Sequence, residues 1–402
     1  MPYYRRNVYI LSFTVFLAAL SWNQIIPFLP LFLKEIGAGA NLLKWVGVVY
    51  AAQAVSNIFA QPFWGKMGDR YGQKPMVIRA GICLAAIYFA TSLSSRPLEL
   101  VVYRFLNGAL TGFIPSSFTL IATNSPQELV PHFVATAQIA SAAGQIVGPA
   151  VGGLLAAIVG YRGCLRLSSA AVVISTILVW SLVKEPNKPV QTEKTSLLED
   201  VVVALRSPVL TAVMLTIMFL SVYSSAIGSV LALHLNSMNG GAPQWLTGMI
   251  FALPALAFVL SARLWTSAGG RWGYEHAIYV GMIGAAVCGA GLVFAHNIWL
   301  FAVVFLAAGL FMAAIAPSLA AIIALRVDAG FRGRAYGLQF SAGMLGAFLA
   351  PPIATEIGGI FGIPSIFIFA GIVLTIGFFI VRQFIARWEP VQSKAAQGSV
   401  DG

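Results

Sequence analysis

A chain of 402 residues with 59% hydrophobic and 9% charged side chains carries far less charge than a soluble domain, where about a quarter of residues are charged. Its apolar surface is too large to be hidden in a water-soluble fold, which excludes a soluble enzyme. The formal charge of +11 therefore does not point to nucleic acid, and the helix-length apolar runs exclude an outer-membrane barrel.

Stretches of about 20 apolar residues predict an all-α membrane protein with twelve transmembrane helices. They fall near 8–33, 45–64, 76–94, 98–122, 133–159, 163–183, 208–235, 244–266, 276–295, 298–325, 333–358 and 363–386. Arg5 and Arg6 precede the first run as in a signal peptide, but that run reaches Leu33 and is predicted to be a retained helix. In it Trp22, Asn23 and Gln24 precede Pro27 and Pro30, and amides beside a double-proline kink suggest a break lining a cavity.

The link 65–75 packs Lys66, Asp69, Arg70 and Lys74 among Gly65, Gly68 and Gly72. The glycines are expected to allow tight turning and close backbone approach. Asp69 is expected against a neighbouring helix N-terminus, with Arg70 and Lys74 facing headgroups or a carboxylate. Arg104 lies two turns into helix four, about 9 Å along the axis. A charge at that depth reads as functional, the alternative being snorkelling past Glu99 to the interface.

Helix five carries Ala140, Gly144, Gly148 and Gly152, a small-residue stripe suited to close helix contact, and Pro149 is expected to kink it. Gln53, Asn57, Asn107, Gln138, Gln145, Tyr223, Phe251 and Phe311 join Trp22, Asn23 and Gln24 as candidates to contact substrate. Each amide reads equally well as an interhelical bond. Together they describe an amide- and aromatic-lined cavity for lipophilic solutes.

Cys83, Cys164 and Cys288 read as small core residues, and His132, His234, His276 and His296 fall far apart at expected helix ends or loops. No catalytic triad, metal site or cofactor follows from them, and an enzyme is not expected. With the N-terminus inside, eighteen of the 24 Lys and Arg fall on the cytoplasmic side and five outside. The positive-inside rule then places both termini in the cytoplasm.

The chain divides into a six-helix half at 1–183, a polar linker at 184–206, a second half at 207–388 and a tail at 389–402 expected to be disordered. Ser196-Leu197-Leu198-Glu199 reads as a capping box opening a short amphipathic helix. The halves look like copies: Gly68 to Gly72 aligns with Gly269 to Gly273 at an offset of 201, and Pro115-Ser116 and Pro149 align with Pro317-Ser318 and Pro351 at 202. Such a duplication suits a transporter built from parallel repeats. Gly270 stands where the first copy has Asp69, and no arginine matches Arg104.

Gly68-Asp69-Arg70 with Gly72 and Lys74 resembles the loop 2–3 signature of the major facilitator superfamily. Arg104 followed by Gly108 and Gly112 resembles its helix-four motif, and Gly144 to Gly153 resembles its "antiporter" motif. With the Pro-Phe-Leu-Pro-Leu end of helix one, the chain is similar to the bacterial multidrug efflux branch, the twelve-helix drug:proton antiporters. The resemblance implies a monomer in the bacterial inner membrane that exports lipophilic small molecules by alternating access in exchange for protons. Gly65, Gly68, Asp69, Arg70, Gly72, Lys74, Arg104, Gly144, Gly148, Pro149 and Gly152 would then serve gating. It implies Asp69 as a cytoplasmic lock against the start of helix eleven.

Many such antiporters hold a carboxylate in mid-membrane, and here all thirteen acids fall in loops, tails or helix ends. If protons drive export, coupling is expected through Asp69 or Glu356, with Glu356 partly buried near the end of helix eleven; the alternative is a headgroup-level Glu356 in a facilitator or a differently driven exporter. Export of an endogenous metabolite, sugar or lipid-linked compound is the alternative within transport, and a non-transporting sensor is the alternative outside it.

Overall fold

The computed structural model describes residues 2–186, 197–238, 241–328 and 331–387. These residues are helical almost throughout, as an apolar environment demands when every backbone donor must be satisfied within its own segment. Among the described residues, eleven helical stretches are long and apolar enough to cross a membrane. One of them holds two of the expected spans, so the twelve runs read from the sequence are all present.

Interruptions fall where proline or glycine dictates. Helices α1 (Tyr3–Ile25) and α2 (Leu29–Glu35) make one span, broken by a 3-10 turn at Ile26–Phe28, because Pro27 and Pro30 remove two amide donors. The Tyr50 hydroxyl donates to the Ile26 carbonyl at 2.7 Å, which satisfies an acceptor at the break. Helices α3 (Leu42–Tyr71) and α4 (Gln73–Ser92) follow, then α5 (Pro97–Leu110) and α6 (Phe113–Thr123). The last two are parted at Gly112, whose φ of 126° suits glycine. Helix α7 (Val130–Leu182) carries spans five and six across a corner at Gly160 (φ 69°, ψ 175°).

A short helix α8 (Leu197–Arg206) precedes the second set of spans. These are α9 (Pro208–Ser237), α10 (Gln244–Trp272), α11 (Tyr274–Gly291), the pair α12 (Ile298–Met312) and α13 (Ile315–Arg326), α14 (Arg332–Phe361) and α15 (Pro364–Ile385). Helix α8 falls where a short amphipathic helix was expected. Its proposed cap Ser196, the tail 389–402 and the Asp69 side chain lie outside the described residues.

One expectation is corrected. The stretch 65–75 is not a loop: α3 runs on to Tyr71 and α4 starts at Gln73, so Gly72 alone (φ 99°) turns the chain. Nothing from Gly65 to Tyr71 forbids a helix, whereas the backbone at Gly72 is one that L side chains avoid. His234 lies in the last turn of α9, the helix end expected for it. It is buried in α9 against the rings of Phe301 and Phe367, with centroids 5.4 and 4.8 Å away.

The repeat is visible in the geometry. The Trp64 indole donates to the Ala109 carbonyl and the Trp265 indole to the Leu310 carbonyl, each at 2.7 Å and each pair related by 201. Gly144 faces the backbone at Phe16 and the side chain of Ala19, as Gly346 faces Met218 and Ser221 at 202. Helix α7 therefore packs on α1 as α14 packs on α9. The two sets of spans meet where α3 crosses α14 and α10 crosses α7. A side chain at Gly47 would strike Thr355 and Pro352, and one at Gly248 would strike the backbone of Pro149 and Gly153. Gly47 and Gly248 are also 201 apart, near the starts of α3 and α10. Both crossings thus lie toward the end of the bundle opposite Tyr3 and Ile385, and a cavity remains between the halves below them.

Candidate functional site

That cavity measures about 350 Å³ and takes its walls from both halves. The first half contributes Trp22 and Ile26 at the break in α1, Tyr50, Gln53, Ala54 and Asn57 on α3, and Arg104 on α5. The second contributes Ser224, Ser225, Gly228 and Ser229 on α9, Phe251 on α10, and Met344, Ala347 and Pro351 on α14. The size suits a small ligand, and an apolar lining with a few convergent polar groups is the usual form of a binding pocket.

Arg104 is the only ionisable side chain besides Tyr50 in this lining. It is 6% exposed, so it does not snorkel to the interface. Gly108, one turn on, lets α5 lie against Gln53 and Ser56 of α3 without room for a side chain, and this close contact brings Arg104 inward. Its guanidinium lies 5.7 Å from the Trp22 ring, within range of a cation–π attraction. Its Nε is buried without a hydrogen-bond partner.

Of the residues expected to contact substrate, the structure brings Trp22, Gln53, Asn57 and Phe251 to the cavity. The others lie elsewhere. Asn23 donates to the Ala19 carbonyl on its own helix at 2.8 Å. Gln24 is buried against Ser168 and the Cys164 carbonyl. Asn107 is buried beside Gln53, which points its Nε2 at the Asn107 Oδ1 from 3.4 Å. Gln138 and Gln145 are exposed, the latter reaching the Ser141 hydroxyl at 3.4 Å. Tyr223 is buried in the second half, its hydroxyl donating to the Ala285 carbonyl at 3.0 Å. Phe311 packs on Trp265 and fills the space beside Gly284.

Tyr50, Ile26, Ser224, Ser225, Gly228, Ser229 and Met344 were not singled out from the sequence. The repeat held a usable signal for some of them. An offset of 202 carries Trp22 to Ser224 and Ile26 to Gly228, and 201 carries Tyr50 to Phe251.

At the corner between α3 and α4, the Glu185 carboxylate sits at the start of α4. It accepts from the Gln73 and Lys74 backbone N–H groups at 2.7 and 2.9 Å, two of the donors that a helix start leaves unsatisfied. Lys74 caps the end of α7, donating to the Val183 and Trp180 carbonyls at 2.7 and 2.9 Å. Gly68 lies against the Gln73 side chain, Gly65 meets nothing nearby, and the exposed Arg70 lies over Tyr71 at 5.3 Å.

On α7, Gly144, Gly148 and Gly152 lie against the α1 backbone, and the helix continues through Pro149. Glu356, expected to be partly buried, is exposed on α14. Thr355 beside it takes the inward position at the crossing with Gly47.

The family model of the Major Facilitator Superfamily matches residues 11–296 and 246–401. The multidrug resistance protein MdtG of Salmonella arizonae (strain ATCC BAA-731 / CDC346-86 / RSK2980) is 26% identical over 377 residues, covering 92% of this chain and 93% of its own. Among solved structures, the nucleoside transporter NupG superposes with a TM-score of 0.78 at 13% identity, over 95% of this chain and 100% of the other. A bacterial homologue of the human lysosomal transporter Spinster, inward-facing and unoccupied, gives 0.79 at 14% identity, over 97% and 99%. The duplicated spans, the cavity between the halves and these matches agree: the chain is a multi-pass membrane transporter belonging to the major facilitator superfamily.

Proposed function

We propose that this transporter exports lipophilic small molecules across the bacterial inner membrane, by rocking the halves 1–183 and 207–388 about the cavity between them. The observation that carries this reading is that cavity: both halves line it, and both meet through glycine crossings on one side of it. Two bodies pivoting on such crossings expose a central site alternately to either face. The multidrug relative named above supports a drug-like substrate, as do the aromatic and aliphatic walls. The protein acts as a monomer, since each chain has the whole cavity.

Proton exchange is the proposed drive, with Asp69 or Glu356 carrying the proton. The carrier must change exposure as the halves move, and Arg104 cannot release its proton in practice. Purified protein in proteoliposomes, given a panel of lipophilic dyes and drugs with and without an imposed pH gradient, tests the whole reading. Accumulation that follows the gradient, lost in Glu356→Gln or Asp69→Asn, is expected. Transport indifferent to the gradient would remove the proton coupling and leave the exporter, and no transport of any compound would overturn both.

Both termini are proposed to be cytoplasmic. Single cysteines at Gly37 and Thr192, in a chain without the native three, are then expected to label from opposite sides of the membrane.

A further inference from the structure

The central cavity holds a permanent positive charge and no negative one. None of the residues lining it is acidic. Among the described acids, Glu35, Glu99, Glu128, Glu185, Glu275 and Asp328 lie at helix ends or corners and Glu356 is exposed on α14. Arg104 is nevertheless more than nine-tenths buried, with Nε unpartnered. A guanidinium cannot escape burial by losing its proton, and a buried charge without a partner is costly. The usual structural explanation of a buried arginine, an ion pair tying two helices together, does not apply to one facing these walls.

What the arrangement lacks is an anion. The guanidinium presents a planar fork of donors that matches a carboxylate or a similar oxyanion. Trp22 flanks it at 5.7 Å, and Tyr50 and Gln53 share its stretch of the cavity wall. On the wall from the other half, Ser224 and Ser225 offer hydroxyls, while Phe251 and Met344 offer an apolar surface. A ligand pairing with Arg104 would extend its body toward that surface. A lipophilic cation would instead face a like charge with no compensating acid.

We propose that the cavity selects small molecules carrying one anionic group on an apolar body, the anion bound by Arg104 and the body lodged against Phe251 and Met344. This rests on the reading of the cavity as the substrate site. It narrows the drug-like substrates of that reading to lipophilic monoanions.

The test uses one ring system in three charge states: 2-naphthoate, neutral 2-naphthamide and 2-naphthylmethylammonium. Equilibrium binding of each is measured on the purified full chain in nanodiscs of uncharged lipid. The carboxylate is expected to bind about tenfold tighter than the amide, as one charge-assisted contact provides, and the ammonium most weakly. In Arg104→Gln the advantage of the carboxylate over the amide is expected to fall below about twofold, as follows if that one contact supplies it. Equal binding of the three by wild type, preference for the ammonium, or an undiminished carboxylate advantage in Arg104→Gln would overturn the assignment. If that variant does not assemble, the ranking by wild type decides. Efflux of the same compounds from loaded proteoliposomes separates the two readings. Amide efflux without carboxylate preference sinks the anion site and keeps the transporter. Tight carboxylate binding without efflux keeps the anion site and sinks the proposed export.

Discussion

The two halves keep the same backbone solutions and fill them with different chemistry. At the corner between α3 and α4, Gly72 turns the chain with φ 99°; at the corner between α10 and α11, Gly273 does so with φ 95°. In the first, the carboxylate on the new helix start is Glu185, from the far end of α7, and Lys74 caps that end in return. In the second, the residue aligned with Lys74 is Glu275, in the first turn of α11 and paired with Arg326 at the end of α13 at 2.6 Å. A helix start favours negative charge whichever segment supplies it, so the charge was free to move while the glycine was not.

The cavity shows the same division. Trp22, Ile26 and Tyr50 face Ser224, Gly228 and Phe251 across it, and Arg104 aligns with Phe305 at the offset fixed by Ala109 and Leu310. Trp22 and Ile26 are bulkier than Ser224 and Gly228 and the charge lies in the first half, whereas Tyr50 and Phe251 are alike in bulk. Duplication therefore preserved the positions where backbones touch, and divergence occurred where a ligand can enter.

The largest expected difference between the halves lies at their crossings. A side chain at Gly248 would meet fixed backbone at Pro149 and Gly153, whereas one at Gly47 meets first the movable hydroxyl of Thr355. Overpacking of this kind costs about 1–3 kcal/mol. Gly248→Ala is expected to slow transport about tenfold or more, with Gly47→Ala milder, in vesicles checked for equal protein insertion. Equal losses would mean that the crossings bear the same load.

Next come the corner glycines. Alanine in such a backbone region costs about 1–3 kcal/mol, so Gly72→Ala and Gly273→Ala are both expected to lower the unfolding temperature in detergent. Gly72→Ala should lower it further, because its methyl would also press on the Glu185 carboxylate at 2.8 Å. A larger loss at Gly273 would contradict the role given to Glu185.

The charges themselves are expected to matter less. Glu185→Gln weakens a carboxylate cap, worth about 1 kcal/mol. Glu275→Gln breaks one partly exposed ion pair, worth about 0.2–1 kcal/mol. Thermal unfolding of the two variants should rank them in that order, and raised salt should narrow the gap.

The smallest contrast is expected at the two tryptophans. Trp64→Phe and Trp265→Phe each remove one equivalent hydrogen bond at 2.7 Å, worth about 1 kcal/mol. Their losses of stability should agree, apart from the added contact of Trp64 with Arg79 at 3.2 Å. A large effect at Trp265 alone would break the equivalence that the repeat implies.

Much of this was legible in the residues. Apolar length located the spans, because a membrane core forces the backbone to satisfy itself locally. The aligned prolines and glycines gave the repeat, because those residues mark backbone that no other residue follows. Trp22, Gln53 and Phe251 were found as polar or aromatic side chains in apolar helices. The same rule also pointed to Gln24 and Tyr223, which turn into their own half. A helix bundle has several inward faces, and the residue type does not say which one borders a cavity. Conversely, Ser224, Ser225 and Gly228 are too ordinary in composition to stand out.

By itself, then, the sequence determined that this chain crosses a membrane in two related sets of helices and that a charge lies deep in the first. Those properties depend on local length, hydropathy and backbone permission. Only the tertiary structure decided that Gly72 is the whole turn, that Glu185 caps α4, and that Arg104 opens on a cavity without an acid. These depend on which helix lies beside which, and residues 112 positions apart, such as Gln73 and Glu185, meet through packing that no local pattern encodes.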